Sequence, residues 1–280
     1  MLKTNQEQLV ESLLEGCALP TSDADNAKNK PVGLGGVSLN LKLGDSVFGW
    51  AVDHATPCVS IYIPSDIACS FACLGNEARV LTGEAKGTRG TITGICREFG
   101  RVMIDFPDSI FEHLSLEDKI QIRATGQGLH FGDYEDILVG GISTQLVDKM
   151  KIEEDVQEQQ LRVPVTAKVP SQYVVSGNET TFGVHLDLRL QSASLEGLSL
   201  EHLRLGDVIA LVEHPTAYKG LLQQEMVSIG IVTYTASSVS GLGPGIQTIL
   251  AGSSQSLIPF LQEDANIGRY LNLGRYRSLF

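Results

Sequence analysis

Between residues 37 and 43 apolar and polar positions alternate strictly: Val37, Leu39, Leu41 and Leu43 against Ser38, Asn40 and Lys42. A period of two predicts a strand with one face in a core and the other in water. Short apolar runs recur between glycines at residues 79–81, 90–95, 102–106 and 119–123. Residues 163–169, 181–190, 207–212 and 225–234 read as strands too. Helical spacing is scarce. Leu146, Val147 and Met150 predict an exposed helix, or two short ones, within residues 144–160, and residues 256–262 supply another. Residues 5–15 fit either period, because Leu9 and Leu13, Val10 and Leu14 repeat at helical spacing just before Gly16. Residues 20–36 are polar and carry Gly and Pro, so a loop is expected. Helices are too few for alternating βαβ units. The expected fold class is mainly β, a layered β-sandwich or barrel with few helices.

A five-residue pattern occurs three times: Leu41-Lys42-Leu43-Gly44-Asp45, Leu114-Ser115-Leu116-Glu117-Asp118 and Leu203-Arg204-Leu205-Gly206-Asp207. Glycine admits a positive φ and Asp accepts from nearby backbone N–H groups, so each copy predicts a turn that launches a strand. Such a turn needs no catalytic role. Residues 76–126 are read as a small β-barrel inserted into a main β domain of residues 1–75 and 127–280, which divides near residues 150–165. The spacing of Gly83, Gly87 and Gly90 resembles the KOW-type element of small SH3-like barrels. Those elements often meet RNA. Here Lys86, Arg89, Arg97 and Arg101 stand beside Glu84, Glu98 and several Asp, and no aromatics interleave them for base stacking.

Composition narrows the function classes. The 280 residues suffice for one large domain or two modest ones. Lys plus Arg number 21 against 33 Asp plus Glu, a net charge of −12, which disfavours nucleic-acid backbones and anionic membranes as partners. The 29 glycines exceed the usual share and fit many tight turns. Met1 to Glu7 lack the basic and apolar regions of a secretory signal, and no apolar run reaches membrane-spanning length. Cys17, Cys58, Cys69, Cys73 and Cys96 are odd in number and scattered; Cys69 and Cys73 alone make a weak metal motif, and buried thiols are the plainer reading. A cytoplasmic protein is expected.

The strongest candidate chemistry is Asp53-His54, between an expected strand and Pro57. A histidine titrates near neutrality and ligates metals, and an adjacent carboxylate completes or orients such a site. The plainer reading is a capped turn with a surface imidazole. In the stretch from His185 to Leu190, alternation puts His185, Asp187 and Arg189 on one face, either an ion site or a solvated strand face. Glu213-His214 ends the strand launched by the third turn, as Asp53-His54 follows the first. Gly241-Leu242-Gly243-Pro244-Gly245 reads as a turn whose backbone N–H groups offer an anion cradle, with Gly241, Gly243, Pro244 and Gly245 as binding positions beside Glu213 and His214. Gly126-Gln127-Gly128 is too short for nucleotide binding. No nucleophile elbow, P-loop or His-Glu-x-x-His occurs.

The string from Gly44 through Phe48-Gly49-Trp50-Ala51-Val52-Asp53-His54, with Pro57 and Val59-Ser60-Ile61, resembles an uncharacterised prokaryotic family of a domain of unknown function. Similarity continues at residues 80–87, 105–107, 126–129, 227–230 and 240–245. The resemblance implies a mainly β, layered fold with a small barrel, and brings no established activity. The family pattern places a His-Ser-Asp triplet where this chain has Tyr234-Thr235-Ala236, and a further His where it has Leu242. If those imidazoles bind metal or move protons, this chain keeps Asp53 and His54 but has lost partners.

Two functions follow as expectations. The first is a hydrolase-like enzyme of small polar amides or esters, with His54 as general base or metal ligand, Asp53 orienting it, and a divalent metal as cofactor. The second is a non-catalytic ligand-binding or homo-oligomeric assembly protein, in which the apolar stretch of residues 237–258 packs against another subunit.

Overall fold

The computed structural model describes residues 2–19, 41–51, 54–57, 59–62, 70–96, 101–115, 118–175, 185–189, 200–214, 216–218, 221–223, 225–238 and 241–278. Six antiparallel strands close a barrel: β1 (Ser12–Leu19), β2 (Val59–Tyr62), β3 (Glu77–Val80), β4 (Arg89–Cys96), β5 (Arg101–Asp105) and β6 (Lys119–Ala124). Their order is β1-β2-β5-β4-β3-β6. Period two fills the interior: Ile120, Ile122 and Ala124 of β6 are buried while Lys119 and Arg123 face out. The ambiguous N-terminal segment divides into a single 3-10 turn, Gln6–Gln8, and the strand that starts at Ser12, with Leu14, Gly16 and Ala18 inside and Leu13 63% exposed. The four strands of residues 77–124 run β5-β4-β3-β6 and by themselves leave edges at β5 and β6. β2 and β1 close that gap, so the barrel extends beyond residues 76–126; unpaired edges are what closure removes.

Downstream lie β7 (Leu138–Val139), α1 (Thr144–Lys149), β8 (Glu153–Asp155), β9 (Gln160–Val165), β10 (Ala167–Pro170), β11 (Val174–Val175), β12 (His185–Arg189) and β13 (Val208–Val212). A short hairpin follows, β14 (Thr216–Tyr218) with β15 (Leu221–Gln223), then β16 (Met226–Tyr234), β17 (Leu242–Ser253), β18 (Leu257–Leu261) and α2 (Ile267–Leu271). A sheet of order β10-β13-β16-β17-β12-β11, with β7 added on β17, forms the second layer. A three-stranded sheet, β18-β9-β8, packs on β16 and β17 through β18. Covered on both faces, β16 is buried at every position and reads as a nearly continuous apolar run.

Several expectations change. Residues 256–262 form β18, a strand parallel to β9, rather than a helix. Leu257 and Pro259 point inward, and a partner strand nearly a hundred residues upstream overrides the local pattern. Of residues 144–160 only Thr144–Lys149 is helical, capped by the Ser143 hydroxyl accepting from Leu146 N–H; strands begin at Glu153. Within residues 37–43, positions 41 to 43 belong to no strand, although Leu41 and Leu43 are buried, and residues 37–40 lie outside the described residues. Within residues 237–258, β17 runs between β16 and β12 and is buried from Gly243 to Gly252. That apolar content serves the protein's own core. No helix among the described residues is long and apolar enough to cross a membrane.

The three repeated turns share one device. Asp45 Oδ2 accepts from Lys42 N–H at 2.9 Å, Asp118 Oδ2 from Ser115 N–H at 2.8 Å and Asp207 Oδ2 from Arg204 N–H at 2.8 Å. Each second oxygen has its own partner: Arg275 for Asp45, the Thr82 hydroxyl for Asp118, and the Asn266 amide for Asp207. The first and third turns also dock on each other. Gly44 N–H donates to Leu205 O, Leu205 N–H to Asp45 O and Val47 N–H to Leu203 O. Gly44 and Gly206, at φ of 92° and 88°, leave no room for a side chain: a Cβ would fall 2.9 Å from the Tyr276 ring at Gly44, and 2.8 Å from Asn266 Oδ1 and 3.1 Å from Leu43 at Gly206.

Asp207 is 5% exposed, and burial pushes its carboxyl up to about 6 against the opposing pull of Asn266. A carboxyl raised from 3.8 in the unfolded chain to about 6 binds its proton more tightly when folded. Its contribution is therefore full below pH 4 and lost as pH rises through 6. Urea titrations of wild type and Asp207→Asn between pH 4 and pH 7 should differ in slope, with the variant lacking this decline.

Candidate functional site

The segment carrying His54 lies against the far end of β16. Thr235 N–H donates to Ala55 O at 2.9 Å, and Ala55 N–H donates to the Thr235 hydroxyl at 2.9 Å. His54, 1% exposed, adds its own bond from Nδ1 to the Thr235 carbonyl at 2.9 Å. A carbonyl only accepts, so Nδ1 carries the hydrogen, and in the neutral ring Nε2 is the lone-pair nitrogen. That is the tautomer a metal-ligating or proton-accepting histidine adopts when a second group holds its ring. The backbone at His54 has φ of 45°, a region non-glycine residues occupy at a cost, which the clamp on Thr235 offsets.

Tyr234 completes the cluster. Its ring stands edge-on to His54, with centroids 5.1 Å apart and planes at 79°. Its hydroxyl donates to Asp187 Oδ1 at 2.9 Å. Asp187 sits on the face of β12 opposite the buried Leu186 and Leu188, as alternation predicts. Asp187, Gly245 and Tyr234 are cross-strand neighbours in register. The expected Gly241–Gly245 turn is instead mostly strand: Gly241 has φ of 73°, and β17 starts at Leu242. Gly243 and Pro244 are buried and lie where the β12 register slips between Asp187 and Arg189, so the missing Pro N–H interrupts a ladder already broken. Gly245 makes room for the Tyr234 ring, because a Cβ there would fall 1.8 Å from Tyr234 Cζ. Gly245 thus lines the cluster by close packing.

This cluster sits where the barrel meets the sheet. Ile95 N–H of β4 donates to Gln247 Oε1 of β17 at 3.0 Å, and a Cβ at Gly94 would lie 3.4 Å from the Thr233 Cβ. Gln247 is 1% exposed, and its Nε2 has no hydrogen-bond partner. Ligand sites favour such junctions between layers. Sequence reasoning missed Thr235 and Gln247: a polar residue inside an apolar run was the available signal, and it does not say what the residue meets.

Asp53, the expected partner of His54, lies outside the described residues. Glu213 and His214 are not part of this cluster. They follow β13 at the opposite end of β16, eight residues from Tyr234 along the strand, roughly 26 Å at ~3.3 Å per residue. Glu213 is exposed with φ of 54°, whereas His214 is 8% exposed and its Nδ1 lies 3.4 Å from the Ser228 hydroxyl. Burial pushes the His214 imidazole below its ordinary value. Among the described residues no three His, Cys, Asp or Glu side chains are placed to hold a metal ion. Cys73 is buried, with its thiol donating to the Phe71 carbonyl at 3.6 Å, and Cys17 is exposed.

Two family profiles account for most of the chain. That described as Domain of unknown function (DUF4438), N-terminal, matches residues 22–148, and that described as Domain of unknown function (DUF4438), C-terminal, matches residues 149–271. Among solved structures the chain is similar to the crystal structure of TM1086, at 33% sequence identity and a TM-score of 0.80, covering 96% of this chain and 99% of that one. No curated protein matches.

Two outcomes follow from this geometry. Gly245→Ala forces the Tyr234 ring from its place and should cost roughly 1–3 kcal/mol or more in chemical denaturation. His214 binds its proton less tightly folded than unfolded, so its contribution is full above pH ~6.5 and is lost as pH falls below it. His214→Gln should flatten the stability curve in that acid window.

Proposed function

We propose that this chain, which belongs to the DUF4438 family of unknown function, is a hydrolase-like enzyme of small polar amides or esters with His54 as its proton-transfer group. The observation that carries the reading is the bond from His54 Nδ1 to the Thr235 carbonyl, which leaves Nε2 as the basic nitrogen of a ring held on both flanks. Such a nitrogen takes a proton from water as the water attacks a carbonyl carbon, and returns it to the departing amine or alcohol. A divalent metal held by Nε2 and Asp53 would supply the alternative, a bound water of lowered pKa. Supported backbone strain at His54 and the position between layers fit a site rather than a plain turn. The protein is read as cytoplasmic.

A specific contact favours a second reading, non-catalytic ligand binding or homo-oligomeric assembly. The Tyr234 ring already packs against His54, and its hydroxyl is engaged by Asp187. The resemblance places a histidine at that position, and tyrosine there replaces an imidazole with a plug.

One experiment separates the two. Protein purified without a metal-binding tag is assayed for metal by elemental analysis and for hydrolysis on an amide and ester panel, beside His54→Asn. Asparagine tolerates the positive φ and removes the imidazole. The enzyme reading expects a fall of roughly 10²-fold or more in the variant, with loss of any bound metal. Equal activity in both proteins, or none on any substrate, sinks it and leaves the binding reading, which light scattering and ligand-induced melting shifts then test.

A further inference from the structure

The outer face of the barrel brings together residues that are far apart in sequence. In register, Arg79 of β3 stands directly opposite Arg89 of β4 on one side and Gln121 of β6 on the other. Glu77, two residues earlier on the same face, stands opposite Arg123. Like charges placed directly across an antiparallel pair repel, and the usual remedy is a carboxylate between them. The remedy here is incomplete. Arg89 Nη1 pairs with Glu77 at 3.2 Å, and Arg123 pairs with Glu11 at 3.0 Å. Arg79 is exposed and pairs with no carboxylate among the described residues.

The same residues line a groove of about 340 Å³, within the range of small-ligand sites at roughly 300–1,000 Å³. Three arginines against Glu11 and Glu77 make the lining net positive in a chain whose overall charge is −12. We propose that this groove binds a small oxyanion between Arg79 and Arg89, with Gln121 as a further donor and Arg123 at its margin. Two guanidinium forks on adjacent strands match the planar oxygens of a carboxylate or the tetrahedral oxygens of a phosphate. An anion seated there relieves the repulsion between the paired arginines, which the fold otherwise carries at a cost. The site is separate from His54, and its fate does not depend on the hydrolase reading.

The test uses the full chain and three variants: Arg79→Gln, Arg79→Gln with Arg89→Gln, and Arg162→Gln at a position outside the groove. Inorganic phosphate and citrate are titrated by calorimetry and by thermal melts, with sodium chloride at matched ionic strength as control. Saturable binding of either anion is expected in wild type and Arg162→Gln, weakened roughly tenfold in Arg79→Gln and abolished in the double variant. Phosphate or citrate as the tighter ligand assigns the source. Arg79 is exposed and unpaired, and Arg89 and Arg162 lose only solvent-exposed ion pairs, worth about 1 kcal/mol or less each, so all variants should stay folded and melt close to wild type without ligand. Binding that matches the chloride control, or that survives in the double variant, overturns the proposal. So does single-stranded RNA that binds through the same arginines more tightly than either anion, which would make the face a nucleic-acid surface.

Discussion

The docking of residues 44–47 on residues 203–205 joins the two halves of the chain, and the site hangs from that joint. Buried backbone groups must find partners, and here each turn supplies the other's. Leu43 and Leu205 are fully buried at the contact, and the C-terminal segment seals it: Ile267 N–H reaches Gly206 O, and Arg275 N–H reaches Leu43 O. Beyond the joint, Ala236 N–H holds Val47 O and Thr235 holds Ala55. The segment that carries His54 is thus pinned at both ends to the end of β16. Loosening the joint would release the imidazole along with the turn.

At the seam the same economy of polar groups recurs. The His54 imidazole and the Thr235 and Tyr234 hydroxyls are withdrawn from water, and each makes a hydrogen bond to a group on another part of the chain or on the next strand. Such groups specify one arrangement, because any other leaves donors without acceptors. Gln247 is satisfied at Oε1 and open at Nε2. It marks where the barrel and sheet meet through a side-chain hydrogen bond as well as through packing.

Much of this architecture was legible. Short apolar runs bounded by glycines and turns located β3 to β6, β13 and β16 closely, and the three Leu-x-Leu-x-Asp turns behaved as turns because an Asp reaching back three residues is a local matter. The conspicuous string around His54 did mark a residue in an unusual buried position. Other features were not legible. The segment at 256–262 carries no strong period, and it became a strand because β9 offered an open edge. The glycines at 241–245 looked like a turn, yet Gly245 is there for the sake of a ring eleven residues earlier. Glu213 and His214 resembled Asp53 and His54 in their place after a strand, but a nine-residue strand separates the two ends.

By itself, then, the sequence determined the β character, the turn chemistry and the acidic balance, since these follow from a residue and its near neighbours. The tertiary structure decided which strands closed the barrel, that Tyr234 would meet both His54 and Asp187, and that Arg79 would face Arg89. Strand pairing and register answer to open edges and buried faces across the whole chain, and no local period encodes them.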